Sequence, residues 1–320
     1  MGGTIATFLK KTIRRLGKLA KREYSYQDKI RKFSANYPSR IFFAQEGNDK
    51  LLRQTGGTAP FFVSRFGNVE LGTVSFFLKN RRHARKRPYP EQIRQSMFNN
   101  AGFFPASDDG LDAFCTVYLD AIRDISALGV WFNDHEQDVV RQNCPDALLV
   151  ELGCLNSFLY ASPYTSVLRG QNVLVIHPFV ETIRHQYDHQ RKNLFRDPLV
   201  LPDFNLLLLK SPQTIAGNTD GYASWFEAYG DMCKKISGMD FNIAIIGAGA
   251  YGLPLGAVVK ISGRSVLHLG GATQLLFGIK GKRWETEYDF AKTVFNEHWV
   301  YPAESEKPPN FGKVENGCYW

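Results

Sequence analysis

From residue 170 onward, short apolar runs and amphipathic stretches follow one another in strict alternation, an order that few folds can accommodate. Residues 172–176 read as a buried strand closed by the turn His177-Pro178-Phe179, and residues 180–195 as a helix. A strand at 204–209, a helix at 222–236, a strand at 243–246, a helix at 253–260 and a strand at 265–269 follow. Each helix must carry the chain back to the starting edge before the next strand can lie parallel to the last. The expectation is an α/β fold: a doubly wound, mainly parallel, Rossmann-like sheet with helices on both faces.

Ligands of such sheets sit beyond the carboxyl ends of the strands. Here those ends are His177, the turn Gly247-Ala248-Gly249-Ala250-Tyr251-Gly252, and His268 to Gly271 with Gln274 just beyond. An earlier apolar run at 60–64 stops at Arg65-Phe66-Gly67-Asn68-Val69-Glu70. If that strand joins the same sheet, four segments share one crevice. The glycine turn has the pattern that lets a backbone approach a diphosphate at a helix N-terminus, and the same spacing also suits a tight strand-to-helix turn with no ligand. A dinucleotide is the less natural occupant. The turn lies late in a chain of 320 residues, and the strand after it runs into Gly270-Gly271 where an acid should hold a ribose hydroxyl.

With 44% hydrophobic residues the chain can bury a large core. The apolar run 241–259 is interrupted by four glycines, Asn242 and Pro254, so it reads as strand, turn and helix, not as a membrane span. Five scattered cysteines indicate neither a disulfide framework nor a zinc site. The net charge of +8 is concentrated at one end: residues 1–35 hold ten Lys or Arg against Glu23 and Asp28. Ile5, Phe8, Leu9, Ile13, Leu16 and Leu19 recur there at helical spacing, with Lys and Arg on the other face. A basic amphipathic helix of this kind either lies on an anionic membrane surface or docks on its own domain. No nucleic-acid module accompanies the charge. The expected location is the cytoplasm, with peripheral attachment to the inner face of the cytoplasmic membrane as an option. Three parts follow: the basic helix at 1–35, an N-terminal α/β part at 36–168 carrying Arg65 to Glu70, and the Rossmann-like part at 169–320.

The crevice would gather Arg65, Asn68, Glu70, His177, His268, Gln274 and the glycines. Arginine and backbone N–H groups suit diphosphate charge, and a carboxylate suits sugar hydroxyls, a divalent metal or an acceptor proton. Neither a GxSxG elbow nor a Walker A loop occurs. A metal could be held by Glu70 with His177 or His268. A lone histidine near a strand end is more often a hydrogen-bonded structural residue than a metal ligand.

Arg65-Phe66-Gly67-Asn68-Val69-Glu70 after an apolar strand resembles the Arg-Phe-Gly-Asp-Gly-Glu signature of GT-D-type bacterial glycosyltransferases. Val173 to Phe179, Phe241 to Gly252, His268 to Gln274, Phe277 to Trp284 and the terminal Cys318-Tyr319-Trp320 resemble proteins encoded with bacterial surface-polysaccharide genes. The resemblance implies transfer of a sugar from a nucleotide-sugar donor, in a family whose Asp-x-Glu pair serves the donor and its metal, so that Mn2+ or Mg2+ is an option here and not a fixed requirement; the basic N-terminal segment would bring the enzyme to a lipid-linked or other saccharide acceptor. Carried over residue by residue, the resemblance assigns nucleotide-sugar binding to Arg65, Asn68 and Glu70. The crevice itself adds His177, Gly247, Gly249, Tyr251, Gly252, Gly270, Gly271 and Gln274 as donor-binding candidates, with Glu70 orienting the donor sugar or a metal and His268 as the base that deprotonates the acceptor hydroxyl. Two departures bear on the metal. The signature Asp is Asn68 here, which removes an anionic ligand, and the histidine that such enzymes carry after the last strand falls on Gly271. Two other functions fit the residues: a dinucleotide-dependent oxidoreductase acting on a nucleotide-sugar, and a non-catalytic protein of polysaccharide assembly.

Overall fold

A computed structural model describes residues 25–35, 40–82 and 87–320. The apolar stripe and basic face expected over residues 5–22 lie outside the described residues. The last part of the basic segment, 25–35, is helical. It docks on the domain: Phe33 is buried, Phe33 and Tyr26 pack edge-on against Phe132, and the Tyr26 hydroxyl donates to Glu151 Oε1 at 3.0 Å. No helix among the described residues is long and apolar enough to cross a membrane.

The described strands are β1 (Ile41–Phe42), β2 (Phe62–Arg65), β3 (Ala127–Val130), β4 (Leu148–Glu151), β5 (Asn172–His177), β6 (Asn205–Lys210), β7 (Ile243–Ile246) and β8 (Ser265–His268). They form one parallel sheet in the order β1-β4-β3-β2-β8-β7-β5-β6. The sheet is doubly wound as the alternation predicts. Its central joint is β2 against β8, Phe62 opposite Val266 and Val63 opposite Leu267, so the last strand in sequence links the parts before and after residue 169.

Side chains alternate across each strand and feed two cores. On β7, Ala244 and Ile246 join one face while Ile243 and Ile245 join the other. The first face is covered by the helices Asn68–Asn80, Asp108–Ile122, Trp225–Ser237 and Gly252–Ile261 through Leu71, Val74, Phe114, Trp225, Leu253 and Leu255. The second is covered by Leu51 of the helix Ala44–Thr55 and by Phe179, Ile183, Leu275 and Phe277. Full burial of each large apolar side chain contributes about 1.5–3 kcal/mol. Ser107 and Ser224 start two of these helices by accepting from the N–H groups of Gly110 and Glu227.

One stretch departs from expectation. Apolar residues recur at helical spacing over 109–128, which predicts one core helix, but the helix ends at Ile122 and residues 127–130 are β3. Burial on both faces makes that strand uniformly apolar, which removes the alternation that would distinguish it from a buried helix.

The winding also creates the crevice. Chain leaving β2 and β7 passes onto the first face, and chain leaving β5 and β8 passes onto the second. Neighbouring strand ends therefore part company, opening a gap at their carboxyl edge.

Candidate functional site

A cavity of about 390 Å³ occupies this gap. It is lined by the ends of β2, β3, β5, β6, β7 and β8 and by the C-terminal residues Val314, Glu315, Tyr319 and Trp320. Its volume lies within the roughly 300–1,000 Å³ typical of small-molecule sites.

Arg65 is the last residue of β2. Its Nε and Nη2 donate to the Phe66 carbonyl at 3.0 and 2.7 Å, and the guanidinium sits 4.2 Å from the Trp131 ring centroid. Trp131 stands at the end of β3, on a loop held by buried Glu136, whose carboxylate accepts from the N–H groups of Trp131 and Asn133. Burial pushes the Glu136 carboxyl up to about 7 against those bonds. Without that carboxylate the loop that supports Arg65 would lose its internal anchor.

Gly67 precedes the helix Asn68–Asn80, and Glu70 folds back over it, so a Cβ on Gly67 would fall 1.9 Å from Glu70 Oε2. Only glycine leaves room for this return. Burial raises the Glu70 carboxyl above its ordinary range, opposed by a bond from its own backbone N–H and by the Arg65 cation. The Gly67 N–H donates to the Tyr118 hydroxyl at 3.3 Å. Asn68, at the first helical position, is exposed and lines the cavity.

The two histidines end β5 and β8. His177 Nδ1 accepts from the Phe179 N–H at 3.0 Å, and His268 Nδ1 lies 2.9 Å from Ser64 Oγ. Both rings are buried, and desolvation brings each down to about 3, so both are neutral near pH 7. Neither ring has the proton affinity of a strong general base at that pH.

The glycine turn follows β7 directly. A Cβ on Gly247 would meet the Gly270 carbonyl at 2.6 Å and His177 Cδ2 at 2.7 Å, while Gly249 takes φ +51° and approaches the Ala101 carbonyl. The Tyr251 hydroxyl lies 2.9 Å from Thr214 Oγ1, and its ring stacks on Trp225. After β8, Gly270 takes φ +59° beside Arg65 Nη1, and Gly271 abuts the Tyr319 ring. Gln274 Nε2 donates to the carbonyls of Ile279, Lys280 and Tyr319, tying down the C-terminal strip that walls the cavity.

Arg65, Asn68, Glu70, His177, Gly247, Gly249, Tyr251, His268, Gly270, Gly271 and Gln274 all line this one cavity. Gly252 does not line it. That glycine lies behind, where a Cβ would meet His268 Nε2 at 2.5 Å.

Several lining residues were not singled out from sequence: Tyr118, Trp131, Ser211, Thr214 and Arg283. Ser211 Oγ and the indole N–H groups of Trp131 and Trp320 are buried without a hydrogen-bond partner among the described residues. Ser211 follows the end of β6, a position readable from the strand itself, whereas Trp131 was hidden with β3.

No protein-family model matches the chain, and no curated protein matches it in sequence. Two solved structures are similar to it at 12% identity. One, described as the highly conserved domain of unknown function 1792 with a distinct glycosyltransferase fold, covers 88% of this chain and 93% of its own at a TM-score of 0.45. The other, a selenomethionine-substituted structure of the same domain, covers 84% and 86% at a TM-score of 0.43.

Proposed function

We propose that the protein transfers a sugar from a nucleotide-sugar donor to an acceptor hydroxyl. The observation that carries this reading is the meeting of Arg65, Glu70 and the Gly247–Gly249 turn, drawn from different strands, on one cavity. A cation and open backbone suit the diphosphate, and a buried carboxylate suits the sugar end. The resemblance of residues 65–70 to the transferase signature supports the same reading. In the reaction, the acceptor oxygen bonds to the anomeric carbon as the bond from that carbon to the diphosphate oxygen breaks. The electron pair leaves on the diphosphate, and the acceptor proton passes to Glu70. A carboxylate whose proton affinity is raised by burial is suited to this step. His268, neutral and bonded to Ser64, serves as a positioning residue.

The acceptor we infer is a lipid-linked or other saccharide, brought near by the basic residues of segment 5–22 at an anionic membrane surface. Sequence charge alone supports this part.

The test is a thermal-shift panel of UDP, GDP, CMP and NAD, followed by turnover of the matching nucleotide-sugar. Stabilisation by a nucleoside diphosphate is the expected result; stabilisation by NAD alone would replace transfer with redox chemistry. Glu70→Gln keeps the shape of the side chain and should abolish turnover while the unfolding midpoint stays close to wild type. Near-normal turnover in that variant would remove Glu70 from the mechanism.

A further inference from the structure

The motif Phe277 to Trp284 has no part in the mechanism above, yet it delivers Arg283 to the same cavity. Arg283 Nη1 donates to the Tyr319 hydroxyl at 3.2 Å, Nη2 pairs with Glu315, and the guanidinium packs over the Tyr319 ring. Arg65 approaches the same strip from β2, with Nη1 beside Gly270 and the Tyr319 ring against Gly271. Two guanidinium groups therefore border the floor formed by Gly270, Gly271 and Tyr319.

The carboxylates at this site suit a divalent cation poorly. Hard cations such as Mn2+ and Mg2+ take several oxygen ligands, usually with carboxylates among them. Glu70 is turned back on Gly67 and its own N–H, Glu315 is engaged by Arg283, and Asn68 offers a neutral amide. Among the described residues no three His, Cys, Asp or Glu side chains converge as a metal cluster.

We propose that Arg65 and Arg283, in place of a divalent cation, neutralise the diphosphate of the nucleotide-sugar, with Glu315 holding Arg283 until the diphosphate displaces it. This rests on the nucleotide-sugar reading above. The chemistry is self-consistent: the electron pair of the broken anomeric bond comes to rest on an oxygen that the guanidinium groups can bind, and no other reactant is needed. Guanidinium forks match phosphate oxygens in pairs, which a single ammonium cannot do.

Calorimetric titration of UDP, GDP, CDP and TDP into the full chain, in EDTA and in MnCl2, tests this. The tightest of the four should bind equally in both. Arg283→Gln should weaken it by roughly 10- to 150-fold, the loss of a charged hydrogen-bond donor, and Arg283→Lys should weaken it less. Glu315→Gln should bind at least as tightly as wild type, because the competing carboxylate is gone, and this arm does not depend on how well Arg283→Gln folds. Binding that disappears in EDTA and returns with MnCl2 overturns the arginine proposal and leaves the nucleotide-sugar reading standing. Wild-type affinity in Arg283→Gln, or weakened binding in Glu315→Gln, overturns it as well. Failure of all four nucleotides to bind wild type in either condition overturns both readings.

Discussion

Gly252 is the position where a phosphate role and a packing role make opposite predictions. It opens its helix with φ −59° and ψ −52°, angles that any residue adopts, so the backbone does not require glycine. Alanine would raise helix propensity by up to about 1 kcal/mol. Its methyl would also lie 2.5 Å from His268 Nε2 and 2.8 Å from Cδ2. The ring is 5% exposed and tethered to Ser64, so it can yield only by straining its surroundings and breaking that bond. Overpacking costs about 1–3 kcal/mol, and the lost hydrogen bond about 1 kcal/mol more. The clash outweighs the propensity, and Gly252→Ala should destabilise by about 1–3 kcal/mol. Gly230, within the helix Trp225–Ser237 and with nothing within 4 Å of an added Cβ, is the control. Gly230→Ala should stabilise by about 0.5–1 kcal/mol. Urea unfolding at constant m-value reads both changes. In a His268→Ala background the cost of Gly252→Ala should vanish, giving a coupling of at least about 1 kcal/mol. A Gly252→Ala protein as stable as wild type, but with weakened nucleoside-diphosphate binding, would refute the packing role and return Gly252 to the phosphate.

The two buried histidines set an acid limit. Each folded-state value lies at about 3, below the ordinary 6.5, so the unfolded chain takes up protons that the folded chain refuses. Stability is therefore full above pH 6.5 and is lost as the pH falls toward 3. From pH 7 to 5 the loss is about 2 kcal/mol per histidine. Glu70 and Glu136, raised by burial, work in the opposite sense, so the clean measurement is a difference: His177→Asn should flatten the pH dependence of urea stability by that amount. An unchanged slope would show that His177 takes up its proton in the fold with the same affinity as in the unfolded chain. A separate prediction concerns Glu306, which is 1% exposed and accepts from the N–H groups of Glu181 and Thr182 at the start of the helix Val180–His185. Glu306→Ala leaves these buried donors unpaired and should cost about 2–4 kcal/mol in unfolding experiments. A cost near zero would mean that water replaces the carboxylate.

The right half of the sheet was legible because its apolar strands end at turn residues and alternate with helical stretches. His177-Pro178 closes β5, Gly247 closes β7 and Gly270 follows β8. The left half was less so. β1 has only two residues, and β3 continues the apolar spacing of the helix before it, with only Arg123, Asp124 and Ser126 as a polar break. Losing β3 also concealed Trp131 and Glu136, which support Arg65 from below. Burial, not composition, makes them part of the site. Arg283 lay within a motif already noted, but only tertiary structure brings it beside Tyr319 and the cavity.

The glycine turn shows why a spacing pattern is a weak witness to function. Gly247 lacks a side chain because the Gly270 carbonyl and His177 fill the space, Gly249 because its φ is +51° and Ala101 is close, and Gly252 because His268 is there. Each constraint is met by packing alone, and none requires a phosphate. The constraints on Gly247 and Gly249 nevertheless leave those two positions without side chains where β7 meets the cavity, which is what close approach of a diphosphate would need. The glycines thus permit a ligand without specifying one. Discrimination falls to the charged groups around them, so the affinity changes in Arg283→Gln and Glu315→Gln bear on function more directly than any glycine substitution can.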